Sequence, residues 1–245
     1  MTAKEAKQIL KTLATPEVAQ SSRRFFKTGP GQYGEGDIFI GIKVPSLRAV
    51  SREFRSLPLE EIRLLLNSPV HEERHLALMI LVLQVAKCKD PQRRVFFDFY
   101  LDNTAFINNW DLVDCSAPQV VGACLLDKSR EPLFQLAQSK SLWERRIAIV
   151  STQHFIRHDQ FADTLALCQK LLNDPEDLIQ KACGWMLREV GAKARHLLEA
   201  FLDQHAREMP RTMLRYAIEH FSPDKRRAYL KKKPSSSGNV CDGPV

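Results

Sequence analysis

A repeated spacing of cations constrains the fold more than any other feature of the sequence. Four cations each open a short run of small and apolar residues, and they are Arg74, Arg146, Lys181 and Arg215. Arg74 and Arg146 lie 72 residues apart, which is two intervals of 36, and Trp110 lies at the midpoint; the intervals that follow are 35 and 34 residues. Helical periodicity dominates the chain, and hairpin signals are missing. A period near 35 with two helices in each unit predicts an all-α repeat protein.

The repeat favours a HEAT-like α-solenoid, because the residue pattern of tetratricopeptide repeats is not evident. We therefore expect a curved, right-handed superhelix of antiparallel helix pairs that binds its partner on the concave face. Residues 1–230 are predicted to form a single domain. Residues 231–245 are basic and rich in Ser, Gly and Pro, which predicts a disordered tail.

The charge balance suggests a polyanionic partner without requiring one. The chain has 36 Lys and Arg against 29 Asp and Glu, a net charge of +7 and a pI near 9.1. The N-terminus has no apolar stretch typical of a secretory signal, and no apolar run could span a bilayer. Six scattered cysteines without a CxxC pair indicate a reducing compartment. These features predict a cytoplasmic protein without membrane contact, associated with the nucleoid if bacterial.

The segment from residue 108 to residue 114 brings an aromatic ring and a carboxylate into one register. Trp110 and Asp114 are four residues apart, so on a helix they share a face. One interpretation is that Trp110 packs in the core while Asp114 lies at its edge or caps the next helix. The other is a functional site, because an unpaired carboxylate is rarely buried.

The repeat favours the functional interpretation, because it aligns further polar residues with this pair. Trp185 is the repeat equivalent of Asp114. The face predicted from the register carries two indoles, one carboxylate and three cations, namely Trp110, Asp114, Arg146, Lys181, Trp185 and Arg188. That composition suits a groove that holds a nucleic-acid backbone, where cations meet phosphates and rings meet sugars or bases.

A second motif points to a different chemistry. His71, Glu72 and His75 match H-E-x-x-H, in which two histidines on one helix face bind Zn²⁺ and the glutamate acts as general base. Acidic residues are also common in the first turn of a helix, where the helix dipole favours them. The remaining histidines offer no recognised spacing for a third ligand. We therefore expect no metal, and a zinc hydrolase is the weakest of the alternatives.

The glycine-rich segment from residue 31 to residue 37 is predicted to be a loop. No Gly-Lys-Ser/Thr follows it, so a phosphate-binding P-loop is not supported. The sequence gives no role for this loop.

Several stretches resemble the AlkD-type DNA alkylation repair proteins, which are DNA glycosylases built from HEAT-like repeats. The resemblance covers about residues 20–225. The stretches that carry it are 41–45, 110–114 with Ala117 and Pro118, 142–146, and 179–189, and the last two are the most specific. The loop that contains Tyr33 is similar to a variant found in part of that family and departs from its best-known members.

The resemblance implies a catalytic aspartate at Asp114, two sugar-cradling tryptophans at Trp110 and Trp185, and an active-site arginine at Arg146. Predicted DNA contacts are Lys181, Arg188, Arg145 and Arg215. The implied reaction is hydrolysis of the N-glycosidic bond of cationic N3- or N7-alkylated purines, without a base-binding pocket. We expect a monomer without cofactor that acts on double-stranded DNA. A non-catalytic HEAT-repeat scaffold for DNA or protein is the main alternative.

Overall fold

The computed structural model describes residues 1–231, and every regular element in that part of the chain is a helix. One isolated backbone bridge joins Ile38 and Val70. The predicted all-α class is confirmed. No helix among residues 1–231 is long and apolar enough to cross a membrane. The predicted tail from 231 to 245 lies outside the described residues, except that Lys231 is the last residue of the final helix.

The chain divides into two compact units, residues 1–154 and the residues from Phe155 onward. The prediction of a single domain over residues 1–230 stays a prediction. The helices of the first unit are α1 (Ala3–Leu13), α2 (Pro16–Phe25), α3 (Val44–Glu53), α4 (Leu59–Leu66), α5 (His71–Val85), α6 (Gln92–Leu101), α7 (Trp110–Asp114), α8 (Ala123–Leu125), α9 (Glu131–Leu136) and α10 (Leu142–Arg157, which runs into the second unit). Those of the second unit are α11 (Ala162–Lys170), α12 (Asp177–Lys193), α13 (Arg195–His205), α14 (Arg211–Ala217) and α15 (Pro223–Lys231).

Helix α5 lies at the centre of the first unit, where it packs against α3 and α4. Leu76, Ala77 and Leu78 are completely buried, as the apolar middle of a central helix should be. The first turns of α5 are buried as well but are polar, and their residues are His71, Glu72, Glu73, Arg74 and His75. Buried charged groups need partners, so this end of α5 must be tied to other polar groups.

Glu72 ties α5 to the extended segment that precedes α3. Its carboxylate accepts hydrogen bonds from the backbone N–H groups of Ile40, Gly41 and Ile42 at 3.1, 2.7 and 3.3 Å. Gly41 has a φ of +87°, and a Cβ there would lie 2.0 Å from the carbonyl oxygen of Thr15. A larger residue at position 41 would therefore displace the segment that Glu72 holds.

Helix α12 has the central position in the second unit and packs against α13 and α14. Its buried face includes Met186 and Leu187, both fully shielded from solvent. Gly184 allows α14 to approach closely, because a Cβ there would lie 2.5 Å from the carbonyl oxygen of Met213.

The register read from the sequence recurs at helix starts. Arg146, Lys181 and Arg215 are each the fifth residue of their helices α10, α12 and α14. Arg74 is the fourth residue of α5, and Trp110 is the first residue of α7. The spacing thus reflects recurring helices, while the HEAT-like assignment stays a prediction.

Candidate active site

The short helix α7 carries both Trp110 and Asp114. Asn109 is the N-cap of this helix, and its side chain accepts a hydrogen bond from the Trp110 N–H at 2.8 Å. Pro118 follows shortly after the helix and opens a π-helical turn over Pro118–Gly122. Such turns occur frequently at functional sites. The predicted pair therefore occupies the two ends of one helix, and both side chains are partly exposed.

Asp114 forms a bidentate ion pair with Arg146, which the sequence also assigned to the site. Arg146 donates from Nε to Asp114 Oδ1 at 2.9 Å and from Nη2 to Asp114 Oδ2 at 2.8 Å. The Arg146 side chain is 6% exposed, whereas that of Asp114 keeps 20% of its surface exposed. Two parallel hydrogen bonds fix the plane of the carboxylate. Arg146 therefore holds Asp114 in one orientation at the edge of the buried region.

Burial raises the pKa of the Asp114 carboxyl above its usual value. The charge and the hydrogen bonds of Arg146 oppose this increase, while the neighbouring Asp111 adds to it. The carboxylate is thus oriented but poorly solvated. An anion in such an environment interacts strongly with a positive charge that develops beside it.

Trp110 lies in an aromatic cluster that includes a residue of the glycine-rich loop. Its ring stacks on Phe26 at 5.2 Å between centroids and meets Phe25 edge-on at 5.6 Å. Phe25 itself is 64% exposed. The Trp110 Nε1–H donates to the Tyr33 hydroxyl at 3.3 Å. Sequence reasoning missed Tyr33, because a tyrosine within a loop produces no periodic signal.

A second polar cluster, which is largely buried, includes Asp111 of α7 and the first residues of α5. His71 connects two aspartates, with Nδ1 at 3.1 Å from Asp37 Oδ2 and Nε2 at 2.8 Å from Asp111 Oδ2. Arg74 donates to Asp37 Oδ1 at 2.7 Å. His75 Nδ1 lies 3.5 Å from Asp111 Oδ2. The sequence singled out His71, Arg74 and His75 but neither aspartate, because these contacts join distant parts of the chain.

The pKa values in this cluster shift in opposite directions. Burial alone would raise the pKa of Asp37, but His71 and Arg74 outweigh burial and lower it. Burial alone would lower the pKa of His71, but hydrogen bonds to Asp111 and Asp37 raise it. Burial lowers the pKa of His75 to about 4. The cluster therefore favours ionised Asp37, and it keeps His75 neutral near pH 7.

The positions of Glu72 and Asp111 change how the H-E-x-x-H motif is understood. Glu72 is the general base that a zinc hydrolase would need, yet its carboxylate is occupied by three backbone N–H groups. This arrangement leaves the hydrolase alternative without its base. The motif does acquire a third polar group beside its two histidines, namely Asp111.

Three of the predicted site residues lie on α12 in the second unit. Lys181 pairs with Asp177 at 2.6 Å, and Arg188 pairs with Glu219. The half-buried indole of Trp185 donates to Glu189.

The other two predicted DNA contacts, Arg215 and Arg145, lie on α14 and α10. Arg215 is exposed on α14. Arg145, in the first unit, donates to the carbonyl oxygens of Ser139 and Lys140 at 3.0 and 3.1 Å. Arg145 therefore anchors the segment that leads into α10.

Comparison with known proteins places this all-helical chain in the class of DNA repair proteins. The family model of DNA alkylation repair enzymes matches residues 6–221, and the chain belongs to this family. A solved structure, a predicted DNA alkylation repair enzyme from Enterococcus faecalis, superposes with a TM-score of 0.66 at 18% identity. That match covers 86% of this chain and 97% of the other, which shows a shared fold. No curated protein matches the sequence.

Proposed function

We propose that this protein is a DNA glycosylase that removes cationic N3- or N7-alkylated purines from duplex DNA by hydrolysing the N-glycosidic bond. The observation that carries the proposal is the Asp114 carboxylate, which Arg146 orients at the edge of the buried region while a fifth of its side chain stays exposed. Membership of the DNA alkylation repair enzyme family supports DNA as the substrate.

The proposed reaction needs one well-placed anion. Alkylation at N3 or N7 puts a positive charge on the purine and weakens the bond to the sugar. The base leaves as a neutral molecule, and positive charge develops on the deoxyribose as in an oxocarbenium ion. Asp114 stabilises that charge and orients the attacking water. Arg146 is buried, so it is better placed to position Asp114 than to reach a phosphate.

The remaining site residues have supporting roles in the proposal. Trp110 and Trp185 flank the sugar with their electron-rich faces, which favour a cationic centre. Lys181, Arg188, Arg145 and Arg215 bind phosphates. The ion pair between Lys181 and Asp177 is solvent-exposed and therefore weak, so a phosphate can replace the carboxylate. The enzyme acts as a monomer on double-stranded DNA and removes the base without enclosing it in a dedicated pocket.

The test is release of base from a duplex oligonucleotide that carries one N7-methylguanine, with the enzyme in excess. We expect free N7-methylguanine and an abasic site, detected by mass spectrometry and by strand cleavage in alkali. An unmodified duplex of the same sequence serves as the control. Binding of both duplexes without release of base would contradict the glycosylase and favour the non-catalytic scaffold.

A further inference from the structure

We propose that His71, His75 and Asp111 form a binding site for one divalent transition-metal ion with the ligand preference of Zn²⁺. The ion would join the start of α5 to α7. The proposal does not depend on the glycosylase activity, because it concerns metal binding by residues that the proposed reaction does not use.

The three side chains already converge. Each offers one ligand atom, and these atoms all lie within 4.8 Å of one another. Asp111 Oδ2 lies 2.8 Å from His71 Nε2 and 3.5 Å from His75 Nδ1. Ligands of tetrahedral Zn²⁺ at about 2.0–2.2 Å from the ion are separated by roughly 3.3–3.6 Å. A small rotation of the Asp111 carboxylate away from His71 would therefore open the space for an ion.

A second layer of residues orients the first histidine. His71 Nδ1 faces Asp37 Oδ2, which leaves Nε2 directed at Asp111. Metal-binding histidines commonly use the other ring nitrogen in this way, donating it to a carboxylate that fixes the ring. Asp37 is itself fixed by Arg74 at 2.7 Å and by the Asn109 side chain at 3.3 Å.

The donor set indicates which class of ion the site would hold. Two imidazoles and one carboxylate favour Zn²⁺ and similar transition metals over Mg²⁺ and Ca²⁺, which prefer oxygen ligands. His75 Nε2 is buried and has no hydrogen-bond partner among the described residues. The other ring nitrogen, Nδ1, is the one that lies near Asp111 and would bind the ion. The Asp111 side chain is 13% exposed, which provides a route for the ion.

The ion would have a structural role. Glu72 is bonded to the backbone of residues 40–42, so the site lacks the general base of a zinc hydrolase. Asp111 directly follows Trp110 in α7 and precedes Asp114 by three residues. Binding of an ion to Asp111 would thus fix the helix that carries both residues.

Cobalt titration of the full-length protein tests the proposal. After treatment with a chelator, the protein is titrated with Co²⁺, whose visible absorption reports a four-coordinate site, and Zn²⁺ is then added as a competitor. We expect one Co²⁺ per chain, displaced by Zn²⁺, and a higher melting temperature with either ion. Asp111→Asn is nearly isosteric and should weaken binding at least tenfold. Asp37→Asn, which alters the partner of His71 and also that of Arg74, should weaken it by about 10- to 100-fold in the protein that remains folded.

The matched control is His220→Asn, because His220 is an exposed histidine in the second unit. This variant should bind Co²⁺ as the parent does. Absence of visible absorption in the parent would overturn the proposal, as would equal affinities in Asp111→Asn and His220→Asn. A near-ultraviolet band from thiolate-to-cobalt charge transfer would also overturn it, because the ion would then be on cysteine. His75→Asn removes a second ligand and should also weaken binding at least tenfold; if this variant fails to fold, the result for Asp111→Asn decides.

Discussion

Two aspartate–arginine pairs in the first unit combine the same two residue types but differ in exposure and in their further contacts. Arg74 and Arg146, which share a register position in the repeat, bind Asp37 and Asp114 respectively. The Asp37 side chain is 5% exposed and also contacts His71 and Asn109. The Asp114 side chain is 20% exposed and accepts two hydrogen bonds from Arg146.

The pKa values of the two carboxyls follow from their surroundings. Several partners outweigh burial at Asp37 and lower its pKa, whereas burial prevails at Asp114 and raises it. A carboxylate whose hydrogen-bonding capacity is filled by the protein stabilises the fold. One that is fixed in place but incompletely compensated can act on a charge that develops in a substrate. We therefore assign structure to Asp37 and chemistry to Asp114.

The largest effect on stability is expected from Arg74→Gln. It leaves the buried Asp37 without its cationic partner, and breaking a buried ion pair in this way costs about 3–5 kcal/mol of unfolding free energy. Denaturant unfolding monitored by circular dichroism measures the change. A loss below about 1 kcal/mol would mean that His71 and Asn109 suffice to hold Asp37, and the contrast between the two pairs would weaken.

Arg146→Lys should affect activity more than stability. Lysine keeps the positive charge but cannot form the two parallel hydrogen bonds that orient Asp114. Misplacement of a catalytic group can cost about a hundredfold in rate, so we expect excision to fall by about ten- to a hundredfold. Single-turnover release of N7-methylguanine is the measurement, and Arg74→Lys is the matched control. An excision rate equal to that of the parent would show that the orientation of Asp114 is unimportant.

The two carboxyls should also respond differently to acid. Excision requires ionised Asp114, so its rate should fall as the pH drops through a pKa that lies above the ordinary value for aspartate. Asp37 has a lowered pKa in the folded protein, so its contribution to stability is present above the unfolded pKa and is lost as the pH falls through the folded one. Excision rates and melting temperatures measured over one pH series should therefore separate. Curves that fall together would contradict the distinction.

The smallest effect is expected from cations on α12, which are less buried than the two arginines. Replacement of both Lys181 and Arg188 by Gln should weaken binding to all duplexes. It should also reduce the slope of log affinity against log salt by about 2, since each phosphate contact contributes roughly 0.9. Lys193→Gln is the control, because Lys193 is a paired cation without a predicted DNA contact. An unchanged slope in the double variant would remove Lys181 and Arg188 from the interface.

The sequence predicted those features that depend on local periodicity. The register that includes Trp110, Arg146 and Lys181 falls at helix starts, and a helix does carry Trp110 and Asp114. Arg146 and Asp114, which the family resemblance assigns to one site, form a bidentate contact in the structure, while their catalytic roles stay predictions.

The missed features depend on contacts between distant segments. Tyr33 reaches Trp110 across 77 positions of the chain, and Asp37 reaches Arg74 across 37. Asp111 joins the two histidines of the H-E-x-x-H motif from a helix 40 positions beyond the first of them. No spacing rule predicts such pairs, because a loop can place its side chains against any element that packs beside it. The sequence therefore gave no role for the loop around Tyr33, whereas in the structure its tyrosine contacts Trp110.

The most direct test compares Asp114→Asn with Asp37→Asn for excision rate, DNA affinity and thermal stability. Asp114→Asn should fold and bind DNA at least as well as the parent. Its rate of base release should fall by about a hundredfold or more, because the substitution removes the stabilising anion. Asp37→Asn should melt earlier and lose activity only in proportion to folded protein. Near-parent excision by Asp114→Asn, accompanied by a lower melting temperature, would contradict the assignment of chemistry to Asp114 and make it a structural residue.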